Sequence, residues 1–307
     1  MKNFRTQKGE NVGPIVLRPA LKNYIWGGKR LIYEFAFESE EPLAEAWMLS
    51  CHKNGACILP DGSLLCAEAA KDISSVLIKI IDARDKLSLQ VHPSEDYARQ
   101  HEGDSGKTEA WYIIDCRQDA EIILGFSRDT SKEEVRRLVE TEKLESICRK
   151  VKVKPGDAFL IEPGTIHAVG DGILLAEVQQ SSDVTYRVFD YGRVGKDGKR
   201  RELHIDKALD VLNYSASQAK KSTADEKTGK TCFPENGFFN AFVCNTDEPL
   251  LIYNERKSTS VIVLDGKCSL LSGGETTSLQ KGSSVIIPAG CKSELTQGAK
   301  LLITTAK

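Results

Sequence analysis

The sequence predicts a mainly β protein made of two barrels in tandem, with a small helical insertion in the first. Three observations carry that prediction. Short apolar runs alternate with glycine-bearing turns along most of the chain. Helical periodicity is confined to a few short stretches. A segment of the first half also recurs near the C-terminus without a gap. Residues 154–167 lie over 280–293, so that Gly156 meets Gly282, Gly164 meets Gly290, and Ser293 stands where His167 stood.

Each element has its own signal. The runs at 75–81, 111–114, 121–124, 158–161 and 173–178 are apolar, short and bounded by turn residues, so they read as strands. Residues 94–100, after Pro93, form a short helix. Ser131-Lys132-Glu133-Glu134 is a capping box ahead of Val135, Leu138 and Val139, which share one helical face. Leu144, Ile147 and Cys148 fall off that stripe, which predicts a break near Thr141 and a second short helix, all within an insertion around 129–150. Ala208, Leu209, Val211 and Leu212 mark another helix over 206–213. Ser, Lys and Thr dominate 215–230, which reads as a linker. The first barrel then occupies 1–214. A second, degenerate barrel without metal ligands occupies 231–307, with Ser260 to Gly266 among its strands.

Composition narrows the classes of partner. The 307 residues, 40% of them hydrophobic, are enough to fill large cores. Lys and Arg number 42 against 44 Asp and Glu, a net charge of -2, which argues against nucleic acid or an anionic membrane as a bulk partner. Nine cysteines form an odd set with no C-x-x-C pair, as expected of reduced thiols in a cytoplasmic protein. The first fourteen residues are polar and lack an apolar export segment, and no apolar run is long enough to span a bilayer.

The chemistry-bearing residues are few. Gln90 and His92 in Gln90-Val91-His92-Pro93 are two apart, so on a strand both point to one face. Glu109 opens the strand that follows, and His167 ends the first copy of the repeated unit. Two imidazoles, a carboxylate and an amide suit Zn²⁺ best, with Fe²⁺ and Mn²⁺ as alternatives. His52, His101 and His204 sit beside turns and read as structural, and Trp26, Trp47 and Trp111 read as core. Gly27-Gly28 and Gly273-Gly274 lack any nucleotide-loop context and read as turns.

These residues resemble the cupin superfamily, whose jelly-roll, or double-stranded β-helix, barrels share a motif. It runs glycine, five residues, proline, any residue, glycine, two residues, histidine. Both halves are similar to it, with Glu162 in the proline's place in the first and Ser293 in the histidine's place in the second. Gln90-Val91-His92-Pro93 with Lys107-Thr108-Glu109 further resembles the type I mannose-6-phosphate isomerases in their short bacterial form. So do Tyr24-Ile25-Trp26-Gly27-Gly28, Leu43-Ala44-Glu45-Ala46-Trp47, the run from Gln179 to Tyr191, and Leu203-His204-Ile205-Asp206-Lys207-Ala208-Leu209.

The resemblance implies one Zn²⁺ per chain held by His92, Glu109 and His167, with Gln90 a fourth ligand or close neighbour. It implies Arg187 as the catalytic arginine and Lys107 as an active-site lysine. The activity implied is interconversion of mannose 6-phosphate and fructose 6-phosphate through an enediol, with a small-molecule sugar phosphate as the partner. Such chemistry needs an electrophile to stabilise an oxyanion and a base within reach of the carbon-bound proton. Lys107 and a water held by the metal are both candidates for that base. Arg187 suits either the enediolate or a phosphate oxygen, and Arg193 and Lys196 are further phosphate candidates. Trp26, read as core, has the edge of a sugar pocket as its second reading because it lies beside Gly27-Gly28. Three alternatives stay open at this level: a cupin isomerase for another hexose phosphate, an iron-dependent cupin oxygenase, and a non-catalytic sugar-phosphate-binding cupin.

Overall fold

The computed structural model describes residues 13–67, 70–195 and 198–307. It is mainly β, as expected. A seven-stranded antiparallel sheet runs from Lys220–Ser222 through Ala158–Ile161, Glu109–Cys116, Ile173–Gln180, Val76–Ala83 and Glu45–Leu49 to Ala20–Lys22. A five-stranded sheet runs from Tyr186–Phe189 through Leu89–Val91, His167–Val169 and Glu121–Phe126 to Cys148–Lys152. A nine-stranded sheet follows the path Ile15–Leu17, Ser284–Ile287, Thr259–Ser272, Ala299–Ala306, Phe239–Asn245 and Thr231–Cys232, with three further strands branching from it.

The layers follow from strand alternation. Every residue of Val76–Ala83 and of Ile173–Gln180 is buried, because the seven-stranded sheet is covered on both faces. Toward one face Ile81, Trp111, Ile113 and Leu175 share a core with Ile122, Leu124 and Val169 of the five-stranded sheet. Toward the other, Ile80, Tyr112, Ala176 and Val178 share a core with Phe239, Ile262, Ile286 and Leu302 of the nine-stranded sheet. Full burial of each of the Ile, Leu, Val and Phe side chains among these contributes about 1.5–3 kcal/mol. A separate core, including Val261, Val263, Ile287 and Leu301, fills the far side of the nine-stranded sheet.

Helices cover the outer face of the five-stranded sheet. Val135, Leu138 and Val139 of the helix Lys132–Glu140, with Ala208 and Leu209 of Ile205–Val211, pack on Leu89, Val91, Ile123 and Val188. Ser131 Oγ accepts the Glu134 N–H at 3.2 Å, a cap worth roughly 1 kcal/mol. The helix stops at Thr141, and a 3-10 turn, Leu144–Ile147, follows, so the expected break is present. The helix expected over 94–100 is Glu95–His101, capped by Ser94.

The recurrent segment has a backbone cause. Gly156 and Gly282 have φ of +94° and +89°, and Gly164 and Gly290 have +83° and +77°. In both copies the same two positions require left-handed backbone that favours glycine. The strands they frame correspond too: Ala158–Ile161 and His167–Val169 match Ser284–Ile287 and Ser293–Leu295.

Two short strands pair across the chain. Ile15–Leu17 adds to the C-terminal sheet, Ile15 opposite Ile286, and Lys220–Ser222, within the expected linker, adds to Ala158–Ile161. All nine cysteines are free thiols. Among the described residues no helix is long and apolar enough to cross a membrane.

Candidate metal centre

Strand register brings the sequence candidates together. In the five-stranded sheet Arg187, Gln90 and His167 are direct cross-strand neighbours in one row. Glu109 opens a strand of the facing sheet, and its same-face companions Trp111 and Ile113 enter the core between the two. His92 lies one residue past Leu89–Val91, two from Gln90. The centre thus forms between the sheets.

His92 Nε2 is 3.3 Å from one Glu109 oxygen, and His167 Nε2 is 3.4 Å from the other. The ligand atoms of all three lie within 4.8 Å of one another. None of the three residues is more than 1% exposed. Each ring is oriented by its far nitrogen: His92 Nδ1 donates to the Val184 carbonyl at 2.9 Å and His167 Nδ1 to the Thr165 carbonyl at 2.9 Å. A neutral imidazole protonated at Nδ1 presents a lone pair at Nε2. Burial, reinforced by Lys107, pulls His92 down to about 3, and burial lowers His167 as well, so both rings are neutral.

Glu109 behaves oppositely. Burial opposes its charge, but Lys107 and His92 outweigh burial and hold the carboxyl well below its usual range. Neither of its oxygens has a well-formed hydrogen bond, although Lys107 Nζ lies 2.8 Å from one of them. Two aimed lone pairs and an ionised, unsatisfied carboxylate make a donor set that fits a divalent metal. Gln90 Nε2 borders the set, 3.2 Å from His167 Nε2, and turning the amide end for end would present its oxygen instead.

Buried charge extends outward from this group. Lys107 Nζ is also 3.2 Å from His92 Nε2 and 3.9 Å from Glu177. Glu177 lies 3.1 Å from Lys79, which lies 3.6 Å from Glu45. The other Glu177 oxygen accepts the Trp111 indole N–H at 2.9 Å. Burial and then the Glu109 charge push the Glu177 carboxyl upward. Burial disfavours the charged form of Lys79, but Glu177 and Glu45 outweigh it and raise the ammonium pKa.

A cavity of about 380 Å³ opens beside this chain, lined among others by Gln90, Lys107, Glu177, Arg187, Arg201 and His204. Trp26 is a buried member of the core between the sheets, as expected, and also lines the cavity. Arg187 Nη1 donates to the Glu202 carbonyl at 2.8 Å. Burial and the neighbouring Arg201 charge lower the Arg187 pKa, as two cations sharing one cavity require. Asp190 anchors Arg201 through contacts of 2.8 and 2.5 Å.

Some expectations are corrected. Arg193 is held by Asp190 and the Lys86 carbonyl and does not line the cavity; Arg201 of the same loop does. Lys196 lies outside the described residues. His52 pairs with Asp104 and His101 with the Tyr97 carbonyl, both structural, whereas His204 lines the cavity. The sequence reading gave no role to Glu45, Lys79, Glu177, Asp183 or Arg201. Lys79 and Glu177 did carry a signal: each is a charge with apolar residues on both sides inside a strand, a placement that demands a buried partner.

Fold and centre define a class: a cupin-type β protein with a metal-binding group of two histidines and a glutamate between its sheets. Residues 15–115 match the family model described as phosphomannose isomerase type I, catalytic domain, and residues 229–305 match mannose-6-phosphate isomerase, cupin domain. The chain is 35% identical to mannose-6-phosphate isomerase ManA of Bacillus subtilis, over 90% of this chain and 93% of that protein. It is 36% identical to the mannose-6-phosphate isomerase of Streptococcus mutans, over 91% and 94%. A crystal structure of the Bacillus subtilis mannose 6-phosphate isomerase superposes with a TM-score of 0.86 at 30% identity, over 95% of this chain and 99% of that one. That of Salmonella typhimurium, at 15% identity and TM-score 0.75 over 96% and 99%, shares the fold. The chain belongs to the type I mannose-6-phosphate isomerase family.

Proposed function

We propose that this chain is a zinc-dependent aldose-ketose isomerase that interconverts mannose 6-phosphate and fructose 6-phosphate through an enediol. One observation supports the reading above others: His92, Glu109 and His167 converge beside a cavity lined by two arginines, two lysines and, among its carboxylates, Glu177 of raised pKa. The names of the relatives agree with it. Zn²⁺ held by His92, Glu109 and His167, with Gln90 at its border, would polarise the sugar carbonyl and its neighbouring hydroxyl when bound. The same proposal assigns this chemistry to residues 1–214 and a metal-free supporting role to 231–307, with 215–230 joining them.

The remaining work falls to side chains. Going from mannose 6-phosphate, the Glu177 carboxylate takes the proton from C2 and returns it to C1. Lys107, at 2.8 Å from Glu109, gives a proton to the C1 oxygen as negative charge gathers there and takes back the proton that the C2 hydroxyl sheds, so the new hydroxyl and the new carbonyl are both completed. Arg187, the sheet neighbour of Gln90, faces the same enediolate. Arg201, tethered by Asp190, takes the phosphate.

A coupled assay with purified protein should show turnover of mannose 6-phosphate that a chelator removes and Zn²⁺ restores. A zinc-replete sample inert toward both sugar phosphates would reject the isomerase reading. The base assignment carries its own check. A carboxyl raised by burial stays protonated to higher pH, so the active, ionised form of Glu177 is lost as pH falls through that raised value. The acid limb of the rate profile is expected above the ordinary glutamate value of 4.5. An acid limb at 4.5 or below contradicts the assignment.

A further inference from the structure

The cavity contains a histidine whose bonding pattern ties it to Arg187. Tyr186–Phe189 is the outermost strand of the five-stranded sheet, paired on one side only, with Leu89–Val91. The backbone of Arg187 is satisfied instead by His204: the Arg187 N–H donates to His204 Nδ1 at 3.2 Å, and the His204 N–H donates to the Arg187 carbonyl at 2.8 Å. One residue thus closes both backbone groups of the arginine, as a neighbouring strand would. An imidazole that accepts at Nδ1 carries its proton at Nε2, so the tautomer is fixed by the contact. His204 lines the cavity beside Arg187, Arg201 and Gln90.

We propose that His204, as the neutral Nε2–H tautomer, is a positioning residue that sets the main-chain placement of Arg187 against the substrate. The proposal rests on the role given above to Arg187. The surroundings favour the neutral ring. Burial and then the Arg187 charge lower its pKa, with Lys207 acting the same way and Glu202 and Glu102 opposing. The Tyr186 ring faces it at 6.2 Å between centroids, and Arg201 shares the cavity. A protonated ring has no lone pair at Nδ1 and would release the Arg187 N–H at the sheet edge.

Three substitutions separate the two nitrogens. In His204→Asn the side-chain oxygen occupies the place of Nδ1 and keeps the acceptor. His204→Gln reaches only the place of Nε2, and His204→Ala keeps neither. With mannose 6-phosphate, His204→Asn should stay within about threefold of wild-type kcat, while Gln and Ala fall on the order of 10²-fold, as for a misplaced catalytic group. KM should change little and metal content not at all, since a group acting on the transition state moves kcat and kcat/KM together. Equal loss in Asn and Gln, or an Ala variant near wild type, overturns the proposal. A readout free of activity is the ¹⁵N NMR signature of His204 at neutral pH. It should report Nδ1 bare and Nε2 protonated, and the opposite tautomer overturns the proposal. A wild-type protein without turnover rejects the isomerase reading instead, and leaves the tautomer measurement to decide this one.

Discussion

His167→Ala is expected to empty the metal centre and abolish isomerisation together. His167 is wholly buried, its ring is held by the Thr165 carbonyl, and its Nε2 faces Glu109 at 3.4 Å. Alanine removes one of two imidazole ligands and leaves the Glu109 carboxylate facing a gap. Two protein donors and a bordering amide do not hold Zn²⁺ in competition with solvent. Losing carbonyl polarisation worth about 4 kcal/mol slows turnover roughly 10³-fold or more. Elemental analysis should find one ion per wild-type chain and none in the variant. The count of one follows from Ser293, which occupies the second copy's histidine position and bonds to the Ser272 hydroxyl at 3.0 Å. Two ions per wild-type chain, or a metal-loaded and active variant, would refute the assignment.

Arg187→Ala is expected to separate metal from catalysis. Arg187 is the sheet neighbour of Gln90 but offers no ligand atom, so His92, Glu109 and His167 stay together. Removing a single electrostatic donor to a developing oxyanion costs about 10²- to 10³-fold in kcat. Lysine should not restore it, because one ammonium does not reproduce the fork that Arg187 directs at the Glu202 carbonyl and into the cavity. Full zinc content with near-normal turnover in Arg187→Ala would remove the arginine from the mechanism.

The parts of the centre legible in the sequence are those fixed by short-range spacing. Gln90 and His92 are two apart, and strand geometry alone sends both to one face. The paired glycines of the recurrent segment announce turns that sterics impose on any sequence adopting them. Ser131 and Glu134 announce a helix start through a cap that lies within one turn.

What escaped the sequence depends on register between strands distant in the chain. Glu177 lies beside Lys79 and Trp111 only because Ile173–Gln180 pairs with Val76–Ala83 on one side and Glu109–Cys116 on the other. No local periodicity encodes that pairing. Arg193 and Arg201 are equally basic members of one loop, and only the fold decides which enters the cavity. His204 read as structural because Arg187, the residue it holds, is seventeen positions away. The resemblance to a known family supplied the roles of Lys107 and Arg187, which spacing does not.

The strand Ile15–Leu17 finds its partner at Ser284–Ile287, close to the other end of the chain. On the ribosome, therefore, Ile15–Leu17 emerges long before the strand it pairs with, and of the described strands it waits longest. The hairpins carrying His92, Glu109 and His167 have left the exit tunnel well before this early segment can be clasped, which leaves Ile15 and Leu17 within reach of chaperones until Ser284–Ile287 has been made.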